Sequence, residues 1–352
     1  MIDLPVALST LGPVFRAADA AGAGLTRRVL ARAVRLGDVR RVAPGYYVQT
    51  AVWGSASRRD RHLMLAQVAS WQRPWAPISH HSAAAWHELP LPPNLPAWVA
   101  QTTDRKVDTA EHDAVSRLEQ GALLPEEVLD VEGRLVTNPT RTVIDCFREL
   151  ALGDAVAIAD DAVRRRLTTL PLLVQMRHRQ RGWPSIRQAD GGLWLLDPAR
   201  ESWFESSSFV GLWAAGIPVP EHQVTVFDAQ DRFVARTDGL WRSHGTVGEA
   251  DGAGKYLGAY DADGASAQAA ARTVVAERQR EERMVDLGLQ VARWAPTDTY
   301  DVRAAGVRAA FGRGDPGRFL GRFESHPSSR HDWREAVLCP AGRQRGRGRR
   351  PW

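Results

Sequence analysis

At 352 residues and 44% hydrophobic, the chain is long enough for two or three domains with ordinary cores. Two cysteines, Cys146 and Cys339, exclude a disulfide framework, and no run approaches the ~18 apolar residues of a membrane span. The formal charge of +5 and the pI of about 9.7 point to an anionic partner.

The N-terminus carries Asp3 and no basic stretch, so no signal peptide is expected. A cytoplasmic protein with no membrane partner is the expectation. Of the 46 basic residues only Lys106 and Lys255 are lysines. Lys is a compact point charge that Arg does not replace in every role, so its survival at Lys255 draws attention to that loop.

Residues 1–54 read as one module. A short helix over 15–22 ends at glycine. Thr26 is a good N-cap for a helix over 27–36, which Gly37 stops. Val29, Leu30, Ala33 and Val34 form its apolar face. Arg28, Arg32 and Arg35, with Arg27 beside them, form a basic stripe. The β-rich runs 39–42 and 46–48 flank Ala43-Pro44-Gly45 as a hairpin. Two helices and a basic hairpin describe a winged helix-turn-helix. Its second helix would enter a major groove of double-stranded DNA, with Arg40 and Arg41 on phosphates.

Residues 55–200 read as a mostly helical region. Three histidines, His80, His81 and His87, sit on a helix over 79–87 whose only nearby carboxylate is Glu88. The spacing of a zinc site is absent, so packed or hydrogen-bonded imidazoles are expected. A proline-rich connection spans 90–96, and short strands are expected at 98–102 and 135–137. Asn138-Pro139 starts a helix with Val143, Phe147 and Leu150 on one face. Asp145 on it reads as a surface or capping residue. Helices follow over 154–167, 170–179 and 186–196. No catalytic constellation stands out here, so a structural role or a partner surface is expected.

Residues 201–312 read as an α/β domain. A helix over 201–215 carries Glu201 and Glu205, like charges at i, i+4 that cost a few tenths of a kcal/mol. A hairpin over 222–228 and 232–238 turns at Asp228-Ala229-Gln230-Asp231. Residues 240–245 turn the chain into a third strand over 246–249. A helix over 269–287 and a strand over 290–294 close the domain. Two strands and a turn bring Asp238 and Glu249 to neighbouring positions, where paired carboxylates hold a hard cation such as Mg²⁺. The carbonyl of Ala250 would be a third ligand, and Lys255 would stabilise charge on a scissile phosphate. Asp251 would either join the metal or hold Lys255. Residues 313–352 are rich in Gly, Arg, Pro and Ser and read as a disordered basic tail.

The C-terminal half resembles the very-short-patch-repair-like endonuclease domains related to the PD-(D/E)XK nucleases. The residues that carry this are Glu201 and Glu205, Val234-Ala235-Arg236-Thr237-Asp238, Gly248-Glu249-Ala250-Asp251-Gly252 with Lys255-Tyr256, and Glu277-Arg278-Gln279-Arg280-Glu281; the closing 287–294 also fits. The resemblance implies a restriction-endonuclease-like core with metal ligation by Asp238, Glu249 and Glu205. Two departures stand out. Asp251 occupies the nominal lysine position, and Gly239 stands where related domains often carry a bulkier residue.

The first half resembles the N-terminal part of AbiEi-type antitoxins of abortive-infection systems. The matching stretches are Gly24-Leu25-Thr26-Arg27-Arg28, Arg40-Arg41-Val42-Ala43-Pro44-Gly45-Tyr46-Tyr47, Ser79-His80-His81-Ser82-Ala83-Ala84 and Thr140-Arg141-Thr142-Val143-Ile144-Asp145. This implies a DNA-binding winged helix, often an autorepressor, with a cognate toxin as a candidate partner.

The leading expectation is a DNA-binding protein that hydrolyses phosphodiesters with Mg²⁺. The alternatives are an antitoxin or transcriptional autorepressor with an inactive nuclease-like domain, and a structural DNA-binding protein that dimerises through its α/β half. Oligomeric state and DNA site are not legible.

Overall fold

A computed structural model describes residues 4–107, 112–251 and 264–328; for 264–274 it describes the backbone alone. The chain is a mixed α/β protein of two compact units, Met1–Leu150 and Ala151–Trp352. The division falls inside the stretch that composition groups as 55–200.

In the first unit, α1 (Leu4–Ser9), α2 (Ala17–Gly22) and α3 (Arg27–Leu36) surround a small core of Ala7, Phe15, Ala20, Leu25, Leu30 and Ala33. Thr26 caps α3 by accepting the Val29 N–H at 3.3 Å, and Gly37 ends it in the left-handed region at φ 83°. The glycine is needed there because a Cβ disfavours that conformation. The hairpin follows as β2 (Val39–Ala43) and β3 (Tyr46–Gln49). Phe15 and Arg16, expected to begin a helix, lie instead in β1 (Val14–Arg16), which pairs antiparallel with β3. The ladder supplies Phe15 and Arg16 with partners that a lone two-turn helix could not.

Val14, Ala43 and Val48 of this sheet pack into a second core with Met64, Ala66, Val68 and Ala69 of α5 (Arg58–Gln72). That core also holds Ile78, Ala83 of α6 (His80–Trp86), Val99 of β4 (Val99–Thr103) and Val136 of β7 (Arg134–Thr137). β4 pairs parallel with β5 (Ser116–Gln120), and β6 (Val128–Val131) pairs antiparallel with β7. A short α4 (Thr50–Ser55) links the hairpin to α5, and α7 (Pro139–Glu149) closes the unit. Asn138 caps α7 and Pro139 opens it. Asp145 is not on the surface. It is fully buried and accepts the Arg141 Nε–H at 2.7 Å, while Arg141 Nη1 donates to Glu127 Oε2 at 2.8 Å. Arg148 also meets Asp145 at 3.2 Å, so removing one member would unbalance the buried charges.

The second unit opens with helices α8 (Leu152–Arg164), α9 (Leu170–Arg179), α10 (Arg187–Leu195) and α11 (Trp203–Ala214). Its sheet contains β8 (Glu221–Asp228), β9 (Phe233–Trp241), β10 (Thr246–Ala250), β11 (Gln290–Trp294) and β12 (Gly321–Glu324), in the order β11-β10-β9-β8-β12. β10 and β11 run parallel; the other neighbours are antiparallel. The parallel pair requires a crossover, and α12 (Gly264–Asp286) lies between the two strands in sequence. α13 (Tyr300–Arg313) follows β11.

Alternation along the strands divides the two faces. Trp241, Ala250, Ala292 and Trp294 face a core with Phe204, Phe209 and Leu212 of α11 and Ala304, Val307 and Ala310 of α13. Val224, Val226, Leu240 and Val247 face Met284 of α12 and Leu289. Residues 313–328 depart from the expected disorder. A 3₁₀ turn (Pro316–Arg318) leads into β12, whose Phe323 joins Phe319 at the α12-side core. These two aromatics supply the apolar surface that a compositional average over 313–352 hides.

Among the described residues no helix is long and apolar enough to cross a membrane.

Candidate functional site

The α3 stripe forms because Leu30 and Ala33 turn inward, which sends Arg27, Arg28, Arg32 and Arg35 to the exposed side. None of these four has an acidic partner among the described residues. On the hairpin, Arg40 and Arg41 are also exposed. Arg40 lies over the Trp53 ring at 5.3 Å, and Arg41 Nε donates to the Ala43 carbonyl at 3.4 Å. Unneutralised guanidinium groups on a helix and the following hairpin suit a polyanion.

The acidic site lies in the second unit. β9 and β10 pair with Gly239 opposite Gly248, so one step further Asp238 comes opposite Glu249. Alternation puts both on the α12 face, with Leu240 and Val247. Asp238 Oδ2 accepts the Ala250 N–H at 2.8 Å, a side-chain bond in place of the next ladder bond. Glu249 is 2% exposed. Burial raises its pKa to about 8, helped by the neighbouring charge of Asp238 and opposed by Arg280 and Arg293.

Two arginines brace the acids. Arg280 of α12 donates to Glu249 Oε2 at 3.0 Å and to Glu277 Oε1 at 2.5 Å. Arg293 sits opposite Glu249 on parallel β11. It donates to Asp251 at 3.2 Å and Glu277 at 2.6 Å, and pairs with Glu281 at 3.1 Å. Four carboxylates, Glu249, Asp251, Glu277 and Glu281, thus meet two guanidinium groups, with Asp238 beside them. Glu249 Oε1 is buried with no hydrogen-bond partner among the described residues, and a buried carboxylate oxygen of this kind suits a cation. The pair Asp238 and Glu249 therefore fits a hard divalent ion, with the acid surplus as its counter-charge. No group of three or more His, Cys, Asp or Glu side chains that could hold a metal occurs among the described residues.

Glu205 stands in the first turn of α11, whose Phe204, Phe209 and Leu212 pack with Trp241 and Trp294. Its carboxylate accepts from the Glu201 N–H at 2.9 Å, Ser202 Oγ at 2.9 Å and Gln223 Nε2 at 3.1 Å. It thus caps its own helix N-terminus, where negative charge is favoured. Glu201 precedes the helix and pairs with Arg236 at 2.9 Å, so the expected repulsion with Glu205 does not arise. Asp251 pairs with Arg293; Lys255 lies outside the described residues. Gly239 has a packing reason: a Cβ there would come within 2.7 Å of the Phe209 ring.

Sequence reasoning missed Arg280 and Arg293 as parts of the site. Arg280 stands within a stretch that resembles the nuclease-like domains, but its partner is fixed only by how α12 packs. Arg293 meets the acids through the β10–β11 register, which no local pattern encodes. His80 and His81 of α6 are buried, and His87, just past its end, bonds the Thr137 carbonyl at 2.7 Å. His81 Nδ1 contacts Glu149 Oε1 at 2.6 Å and its Nε2 donates toward the Trp98 carbonyl at 2.9 Å. His62 Nε2 meets Ser82 Oγ at 2.8 Å. Glu149, not Glu88, is the acid of this cluster.

No family model matches the chain, and no curated protein matches it. Among solved structures it is similar to the RV2827C protein from Mycobacterium tuberculosis, at 16% identity and a TM-score of 0.37, over 54% of this chain and 73% of that one.

Proposed function

We propose that the chain is a double-stranded-DNA-binding protein whose first unit contains a winged helix and whose second unit is a PD-(D/E)XK-like domain that hydrolyses DNA phosphodiesters with Mg²⁺. The observation that carries the reading is the cross-strand pair Asp238 and Glu249, on one face of the sheet, with a buried carboxylate oxygen that has no hydrogen-bond partner among the described residues. The element order α11-β8-β9-β10-α12-β11 supports it, as does the free arginine face of α3. Asp238 and Glu249 would hold the ion, with the Ala250 carbonyl. Such an ion, when bound, polarises a phosphoryl oxygen and lowers the pKa of water. Arg280 and Arg293 would keep the acids in place and offset their mutual repulsion.

In the test, supercoiled plasmid is incubated with the full chain in Mg²⁺ or Mn²⁺ and in EDTA. Nicking that needs the metal and disappears in Asp238→Ala, with DNA retention unchanged, is the expected result. Cleavage that survives in Asp238→Ala would put the chemistry elsewhere.

A second reading has its own support. Arg280 and Arg293 already pair with Glu249 and Asp251, as they would in a domain kept for its fold in an AbiEi-type antitoxin or autorepressor. Tight DNA binding with no metal-dependent cleavage would favour it.

A further inference from the structure

A cavity of about 540 Å³ lies at the corner between α9 and α10, lined by Arg177, Arg181, Trp183, Ile186 and Arg187 among others. No carboxylate lines it. The charge of Arg177 is offset by Asp190, which it meets through two hydrogen bonds at 2.5 and 2.7 Å. Arg181 and Arg187 are exposed, and neither has an acidic partner among the described residues. They are six residues apart, yet they line one cavity because the chain between them turns sharply. Gly182 at φ 87° and Ser185 at φ 59° both sit in the left-handed region. Such a conformation at a non-glycine residue is strained and persists only where the surroundings enforce it.

We propose that this corner is a phosphate-binding pocket that grips the backbone of the bound DNA, a contact separate from α3 and its hairpin. Two guanidinium groups without counter-ions supply the forked donors that phosphate oxygens take. Trp183 is half-buried and presents an apolar wall beside them, suited to the sugar next to the phosphate. The volume lies in the range of small-ligand pockets, ~300–1,000 Å³, and accommodates one phosphate with its sugar. The proposal rests on the DNA-binding reading but not on cleavage.

The test measures binding of a 30-bp duplex by the full chain across a salt series. Arg181→Ala/Arg187→Ala should bind roughly tenfold more weakly at low salt. Its log–log salt slope should fall by about one, the size of one lost phosphate contact. Arg181→Lys/Arg187→Lys keeps the charge but loses the forks, so it should restore the salt slope while recovering only part of the affinity. The control is Arg164→Ala/Arg165→Ala, which removes the same charge from a pair already joined to Asp161. It should change little. Wild-type affinity and slope in the Arg181/Arg187 variant, or an equal loss in the control, would overturn the pocket while leaving the DNA reading intact. A wild-type chain that retains no duplex would overturn both.

Discussion

Glu249 carries the clearest consequence for pH. Its carboxyl has a pKa of about 8 in the fold, against 4.5 for an ordinary glutamate. Between those values the folded chain holds a proton that the unfolded chain has released. Stability therefore falls as pH rises from about 4.5 to about 8, and the loss persists above 8. Glu249→Gln carries no charge at any pH, and Arg280 keeps Glu277 as a partner. The variant should match wild type near pH 5 and melt higher at pH 9, by thermal unfolding followed with circular dichroism. Identical pH profiles would show that Glu249 is not strained by its burial. His62 and Glu149 act in the opposite direction in the first unit. Burial lowers the His62 pKa to about 3, with the His81 charge adding to it. For Glu149 burial pushes upward, but the His81 hydrogen bond and the charges of His81 and His80 bring it to about 2. Each has a folded pKa below its unfolded one, so each contributes stability that is lost on acidification. For His62 the window runs from about 6.5 down to about 3, and for Glu149 from about 4.5 down to about 2. Glu149→Gln should cost about 1–3 kcal/mol at neutral pH, because buried His81 loses its charged acceptor. It should also flatten the acid limb, and a urea titration at several pH values reads both effects.

At the level of elements, the end of α12 and strand β12 depend on each other. Gly288 adopts φ 93° just past α12, and a Cβ there would come within 2.5 Å of the Arg318 carbonyl. Gly288→Ala combines a left-handed backbone with a backbone clash, so it should cost ~1–3 kcal/mol at least; a melting temperature within a degree of wild type would contradict the packing. Truncation after Gly312 removes β12, whose residues pair with Thr225 to Asp228 of β8. It should lower the melting temperature of the second unit clearly, whereas truncation after Ser328 should not. Equal melting for both truncations would show that β12 contributes nothing. The elements with local signals were legible in the sequence. Thr26 and Asn138 each cap the helix they were suited to open, and Gly37 stops α3. The helix over 201–215, for instance, begins two residues later because Glu201 belongs to the cap. What was not legible depends on distant partners. β1 is a strand only because β3 lies beside it, and β12 only because β8 offers an edge. Two short strands, β5 and β6, are interrupted by Arg117, Glu119 and Asp130 and so lack a clear strand pattern.

For the molecule as a whole, the acid pair was readable because hairpin register is close to arithmetic: Asp238 and Glu249 are brought together by a turn whose length the sequence displays. Glu205 has a local role that strand arithmetic does not display: a glutamate three residues after a serine cap folds back on its own helix terminus. Arg280 and Arg293 were illegible because the crossover to β11 fixes their positions. Together these features describe two charged surfaces of opposite sign on one chain: a guanidinium face suited to DNA in the first unit, and an acid-rich cluster in the second. The account stands on the cluster holding a divalent ion. The most direct test is Mn²⁺ binding by the full chain, read by electron paramagnetic resonance against Asp238→Ala and Glu249→Gln. One specific ion per wild-type chain, absent from both variants at the same Mn²⁺ concentration, is the predicted result. Equal Mn²⁺ binding by all three proteins, or none by wild type, would contradict it.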